Sequence, residues 1–254
     1  MSPYSLVVRS YCRFRIHHAA GIAVAGLSLA LAAGCGNFAA QGRNAEGVRL
    51  FQQARYQDAM QHFQVATNED PKNADAYYNL AATYHRLGKL EGRQAYLDQA
   101  EILYNQCLDR HPDHADCYRG LAVLLAGQGK TQEAFRLVEG WVDHQPGSPD
   151  AKIELARLFD EQGDRQAARQ HLQEALSIDP ENSRALVALG KIREDMGERA
   201  EALSAYRRAL ARDNRQPEVA ARVAALQTAL QPAVAVTLPA PTLRTAAGQP
   251  TPLR

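Results

Sequence analysis

The segment CLDRHPDHADC, Cys107 to Cys117, places two cysteines and two histidines within eleven residues. These are the donor types that hold zinc or another thiophilic cation. As a metal motif it reads C-x3-H-x2-H-x2-C, which requires both thiols and both imidazoles to converge. The same cysteines can instead form a disulfide or stand as two free thiols in a core. Other chemistry is sparse. AGQGKT, Ala126 to Thr131, imitates the end of a phosphate-binding loop, but Leu124 stands where that motif needs glycine. The sequence has no zinc-protease helix signature, no nucleophile elbow and no glycine-rich dinucleotide loop. His62, His85, His144 and His171 fall singly along the chain, as solvated histidines do. No catalytic residue, metal or cofactor is therefore expected, and the elements that carry Cys107 and Cys117 must decide between the readings of that segment.

The 254 residues carry 29 basic and 28 acidic side chains, a balance that lacks the footprint of a nucleic-acid binder. Residues 1–18 hold Arg9, Arg13 and Arg15 without an acid, and an apolar, small-residue run follows from Ala19 to Ala33. This is the layout of a secretory signal, too short for a spanning helix. Its end, Ala32-Ala33-Gly34-Cys35, resembles the bacterial lipobox, in which small residues precede a cysteine that is lipidated and becomes the N-terminus. The usual leucine three places before the cysteine is displaced by one, to Leu31. The resemblance implies lipidation at Cys35 after removal of residues 1–34, leaving 26 basic and 28 acidic side chains. Multiple acyl chains anchor a protein stably, so the expectation is a lipid-anchored protein of the bacterial envelope. Gly36, rather than aspartate, favours the periplasmic face of the outer membrane over the inner membrane. Residues 35–42 are read as a tether reaching roughly 25–30 Å.

Prolines at 71, 112, 146 and 180 mark a recurring unit, the last two intervals being 34 residues. Aligned on them, five units share their chemistry. Small residues stand at Gly47, Ala81, Ala122, Ala156 and Gly190, where two helices would meet. Turn residues are Ala54, Gly88, Gly129, Gly163 and Gly197. A small residue opens the second helix at Ala59, Ala100, Ala134, Ala168 and Ala202, and a bulky packer follows at Phe63, Tyr104, Val138, Leu172 and Tyr206. The pattern resembles the tetratricopeptide repeat, a helix-turn-helix unit. It implies an all-α, right-handed solenoid of about five repeats, at 40–72, 73–113, 114–147, 148–181 and 182–215, within a domain spanning 43–230. Ser148-Pro149 suits a helix start. Residues 217–230 form an amphipathic capping helix, and the proline-rich stretch 231–254 is expected to be disordered. Between Pro71 and Pro112 the interval is seven residues longer, and the surplus is assigned to the second helix, between Gly88 and Ala100. Two extra turns there keep the apolar stripe of Tyr96, Ala100, Leu103, Tyr104 and Cys107 in phase.

The resemblance further implies a concave wall of first helices that binds a protein or peptide partner. Its registers fall on Tyr78, His85 and Arg86, on Arg119 and Val123, on Ile153, Arg157 and Asp160, and on Val187, Lys191 and Glu194. The arginines and Lys191 could favour acidic segments or serve solvation alone. Asn79 matches one residue of the family's carboxylate clamp, without its companion lysines. Envelope lipoproteins of this layout resemble pilotins for a pilus or secretin and adaptors that organise peptidoglycan enzymes. The leading expectation is an envelope scaffold; the alternative is an accessory metal-binding or enzyme-associated lipoprotein that uses the Cys107–Cys117 segment. In the aligned units Cys107 matches Ala66, Trp141, Ala175 and Ala209, and Cys117 matches Ala76, Ala151 and Ala185. Both cysteines thus take core positions equidistant from Pro112. A bridge between them, two free thiols and a metal site all remain open from sequence, with the bridge preferred.

Overall fold

The computed structural model describes residues 38–231. The expected signal segment at 1–34, Cys35 and the tail from residue 232 lie outside the described residues. Helix α1 occupies 38–52, and ten more follow: α2 (Tyr56–Glu69), α3 (Ala74–Glu91), α4 (Gln94–Arg110), α5 (Ala115–Gly127), α6 (Thr131–His144), α7 (Pro149–Glu161), α8 (Arg165–Ile178), α9 (Ser183–Asp195), α10 (Arg199–Arg212) and α11 (Pro217–Leu230). No strand occurs among the described residues. Because α1 is already helical at residue 38, with Ala40 fully buried, the boundary expected at residue 43 falls inside a helix. The stretch 38–42 belongs to the first repeat rather than to a tether.

Each helix pair forms for a local reason. The first helices α3, α7 and α9 are capped by Asn73, Ser148 and Asn182, whose side chains accept from the backbone N–H of Ala76, Ala151 and Ala185. Such caps satisfy a donor that the helix itself leaves unpaired. Pairs then close on small residues. A Cβ added to Gly190 would stand 2.6 Å from the Tyr206 ring, and one added to Gly47 would stand 2.5 Å from Phe63. Ala81, Ala122 and Ala156 fill the same register and are buried, as are all five small and all five bulky positions expected on the second helices.

The seven surplus residues are shared between two helices rather than added to one. Helix α3 has 18 residues and α4 has 17, against 13 in α5, α7 and α9 and 14 in α2, α6, α8 and α10. Gly88, expected to form the turn, lies inside α3, where an added Cβ would meet the Leu97 side chain at 2.6 Å. The left-handed cap has moved four residues on, to Gly92 at φ +65°. The four-residue shift of the left-handed position and the three residues added to α4 are each about one turn, so both apolar faces stay inward. The other turns keep the expected left-handed residue, Ala54, Gly129, Gly163 and Gly197.

Neighbouring helices pack in chain order, and the first helices also touch one another, α3 with α5, α5 with α7 and α7 with α9. That closer spacing makes the first helices the inner wall of the curved stack. Buried side chains form successive clusters along it, one from Leu50 to Leu158, one around Leu172 and Leu189, and one joining Tyr206 to Val219 and Leu226 of α11. Helix α11 thus covers the last open apolar face, as a solenoid end requires.

Candidate functional site

Glu154 of α7 is the most unusual side chain on the inner wall, a carboxylate only 1% exposed. Its Oε1 accepts from Arg119 Nε at 3.0 Å and from Arg184 Nη2 at 2.7 Å, and its Oε2 accepts from Arg157 Nε at 2.8 Å. A buried carboxylate is tolerated when charge-assisted bonds satisfy it from several sides. Because Arg119 stands on α5 and Arg184 on α9, one carboxylate ties together the first helices of three consecutive repeats. Asp116 and Asp150 hold the outer edges of Arg119, Asp150 also pairs with Arg184, and Glu161 holds Arg157. Burial works against the Arg157 charge, but the bonds to Glu154 and Glu161 prevail and its pKa is raised.

Beside this node a cleft of about 510 Å³ opens between α7 and α9, a size suited to a bound side chain or small group. Ile153, Ala156, Leu172, Val187, Ala188 and Ile192 supply its apolar lining. Arg157, Asp160, Arg184, Lys191, Asp213 and Gln216 stand around it. Lys191, well exposed, donates to Asp160 at 2.9 Å, a bond that raises the lysine pKa. Arg119, Arg157, Arg184 and Lys191 are therefore each already matched by a carboxylate. The arrangement does not form an excess-positive site for acidic segments; it is an apolar slot with a charge-balanced rim.

The residues expected on the concave face divide accordingly. Arg157, Asp160, Lys191, Ile153 and Val187 line the cleft, and Arg119 joins it through Glu154. Arg86 instead turns toward α2, donating to the Tyr56 hydroxyl at 3.4 Å. Glu194 accepts from the Tyr206 hydroxyl at 3.1 Å and pairs with Arg222 of α11, so it serves the C-terminal cap. Tyr78 packs between Tyr104 and His114, with ring centroids 6.2 and 5.5 Å away, and burial raises its pKa. His85 lies edge-on to Tyr104, and burial, then the Lys89 charge, lowers its pKa. Val123 is half-buried on α5. Glu154 and Arg184, central to the site, were missed from sequence. A glutamate at a buried register of α7, flanked by Arg119 and Arg184 about one repeat away on either side, was the signal available.

At the junction of α4 and α5, Cys107 and Cys117 are joined by a disulfide with Cα atoms 6.5 Å apart, and both are fully buried. His111 ends α4, whereas His114 caps α5: its Nδ1 accepts from the Cys117 backbone N–H at 3.3 Å. Its Nε2 lies 3.0 Å from Asp75 Oδ1. Of the two histidines only His114 converges with the sulfurs, all three donor atoms lying within 4.8 Å of one another.

Family models described as "TPR repeat" and "Tetratricopeptide repeat" match residues 47–88, 72–139 and 161–230. A comparison with curated protein sequences finds no significant match. Among solved structures, a thermophilic TPR protein of Thermus thermophilus, TTC0263, superposes with a TM-score of 0.60 at 24% identity, over 75% of this chain and 100% of its own. The pilF protein of Pseudomonas aeruginosa superposes with a TM-score of 0.55 at 14% identity, over 76% of this chain and 85% of its own. Both similarities concern the fold. The repeated helix pairs, the five matched registers and the family models agree: the chain belongs to the tetratricopeptide repeat family, whose members generally act as non-enzymatic scaffolds for protein interactions.

Proposed function

We propose that this scaffold works from the bacterial envelope surface, tethered by a lipidated Cys35, and receives an apolar side chain of a protein partner in the α7–α9 cleft. The cleft carries this reading: an open apolar slot on the inner wall, its walls held in place by the Glu154 node. A partner segment with one apolar anchor and flanking polar residues of both signs matches the lining and the balanced rim. The basic and apolar leader ending in Cys35 supports the anchoring. Assembly of a pilus or secretin, or organisation of peptidoglycan enzymes at the outer membrane, are the settings in which such a tethered scaffold would serve.

A photoreactive amino acid placed at position 187, within the cleft, tests the reading in intact cells. The control is position 173, exposed on the outer helix α8. The expected result is a discrete crosslinked adduct at 187 that is absent at 173; equal labelling at both positions contradicts a cleft-specific partner. The mass of the mature N-terminus tests the anchor, and an unmodified Cys35 would end that part of the proposal. The second reading, an accessory metal-binding protein, draws on the convergence of Cys107, His114 and Cys117.

A further inference from the structure

The junction of α4 and α5 departs from the repeat pattern at three positions at once. Where Cys107 stands, the other units have Ala66, Trp141, Ala175 and Ala209; where Cys117 stands, Ala76, Ala151, Ala185 and Val219; where His114 stands, Asn73, Ser148, Asn182 and Gln216. A structural disulfide explains the cysteines alone. The helix cap does not require the histidine either, because asparagine caps α3 and α9 through the same bond, whereas the imidazole adds a ring that packs on Tyr78 and a second nitrogen that meets Asp75. We infer that Cys107, His114 and Cys117 form, once the disulfide is reduced, a binding site for a thiophilic divalent cation of the zinc type.

The donor set and its surroundings fit that assignment. Two thiolates and one imidazole are ligands that Zn²⁺ favours, and three protein ligands leave a fourth position for water. The three donor atoms already lie within 4.8 Å of one another. Asp75 stands against His114 Nε2 while Nδ1 accepts from a backbone N–H, so the neutral ring carries its proton on Nε2 and its lone pair on Nδ1. A carboxylate behind the non-ligating nitrogen is the arrangement that orients a metal-bound histidine. Beside it a cavity of about 470 Å³ reaches the surface, lined by Asp75, Asp113, Asp116, His111 and His114 with Lys72 and Arg110. Arg110 is committed elsewhere, to the carbonyls of Pro71 and Gln106. The cavity brings a cation from the surface to His114, and the two sulfurs lie enclosed beyond it.

Loading proceeds in two balanced steps. A dithiol reductant transfers two electrons and two protons to the Cys107–Cys117 bond, becoming a disulfide itself and leaving two thiols. The cation then binds both sulfurs and Nδ1, releases the two thiol protons to solvent, and displaces the Cys117 N–H from Nδ1. The disulfide is thus the closed form of the site, and reduction opens it.

Purified full-length protein, reduced anaerobically with dithiothreitol and desalted, is titrated with Zn²⁺ against a chromophoric chelator, and with Co²⁺ to observe thiolate charge-transfer absorption. The comparison proteins are the oxidised form, the double variant Cys107→Ala/Cys117→Ala, His114→Asn and Asp75→Asn. The reduced protein is expected to bind one equivalent of Zn²⁺ more than the oxidised form and the double variant. His114→Asn, which keeps the helix cap used in two other repeats, is expected to weaken that binding at least ~10-fold, and Asp75→Asn about 10-fold. The inference is overturned if the reduced protein binds no more Zn²⁺ than the oxidised form, or if His114→Asn binds with unchanged affinity. If the double variant fails to fold, the oxidised form and His114→Asn decide the matter. Either outcome is independent of the partner cleft, which the titration does not involve.

Discussion

Arg184 reaches from α9 to Glu154 on α7, Nη2 to Oε1 at 2.7 Å, and meets there the guanidinium of Arg119 arriving from α5. One buried carboxylate thereby fixes the spacing of three inner helices. Removing one member of a buried, hydrogen-bonded charge cluster leaves the others uncompensated, at a cost of about 3–5 kcal/mol. Glu154→Ala is expected to lower unfolding stability by that order in urea denaturation. Glu181→Ala, which removes an exposed pair with Arg212, should change it by less than about 1 kcal/mol. Equal effects from the two variants would mean that the Glu154 node contributes no special rigidity.

Two glycine-to-alanine substitutions are expected to have opposite signs. Gly140 lies within α6 with nothing inside 4 Å of an added Cβ, so Gly140→Ala should stabilise by about 0.5–1 kcal/mol. Gly190 faces the buried Tyr206 ring at 2.6 Å, and Gly190→Ala should destabilise by about 1–3 kcal/mol through overpacking. Thermal unfolding of both variants beside the parent checks the pair; stabilisation by Gly190→Ala would show that the α9–α10 packing is loose.

His85 makes stability depend on pH with a defined sign. Burial, reinforced by Lys89, depresses its folded pKa, so between the unfolded value near about 6.5 and the lower folded value the unfolded chain takes up a proton that the folded chain refuses. Its contribution is present above that window and is lost as pH falls through it. The midpoint of thermal unfolding should therefore fall less between pH 7.5 and 5.5 in His85→Gln than in the parent. An equal or larger fall in the variant would contradict this assignment.

The disulfide closes a loop across ten residues of sequence separation. In the chain-entropy view such a loop contributes up to roughly 3 kcal/mol. Urea unfolding with and without dithiothreitol, both in the presence of a chelator, should differ by about 2–3 kcal/mol in the parent and not at all in Cys107→Ala/Cys117→Ala. A parent insensitive to reduction would mean that the bridge constrains nothing.

The repeat pattern carried the fold because each of its positions is a packing rule. Glycine or alanine stands where helices meet, a large side chain stands opposite, and a left-handed residue stands at the turn, so Gly190, Tyr206 and Gly197 were placed by type alone. The long repeat was not, because Gly88 satisfies two rules equally well. As a turn it would have ended α3; as a contact it lets Leu97 approach, and Gly92 offered the second left-handed residue that settled the choice. At the cleft, register located Arg157, Asp160 and Lys191, but the direction of a long side chain depends on partners from neighbouring repeats. Arg86 found Tyr56, and Glu194 found Tyr206 and Arg222. The convergence of Arg119, Glu154 and Arg184 involves positions about one repeat apart on three helices, a relation that appears only once the solenoid is stacked. His114 shares the register of Ser148, but its approach to the two sulfurs likewise appears only once α4 and α5 are packed.

The central claim is that the α7–α9 cleft seats an apolar anchor from a protein partner. It is tested most directly by measuring the affinity of the segment crosslinked at position 187, synthesised as a peptide, for the parent protein and for Val187→Asp. A charge placed in an apolar slot should raise Kd at least ~10-fold, with the fold intact by circular dichroism. An unchanged Kd would contradict the claim.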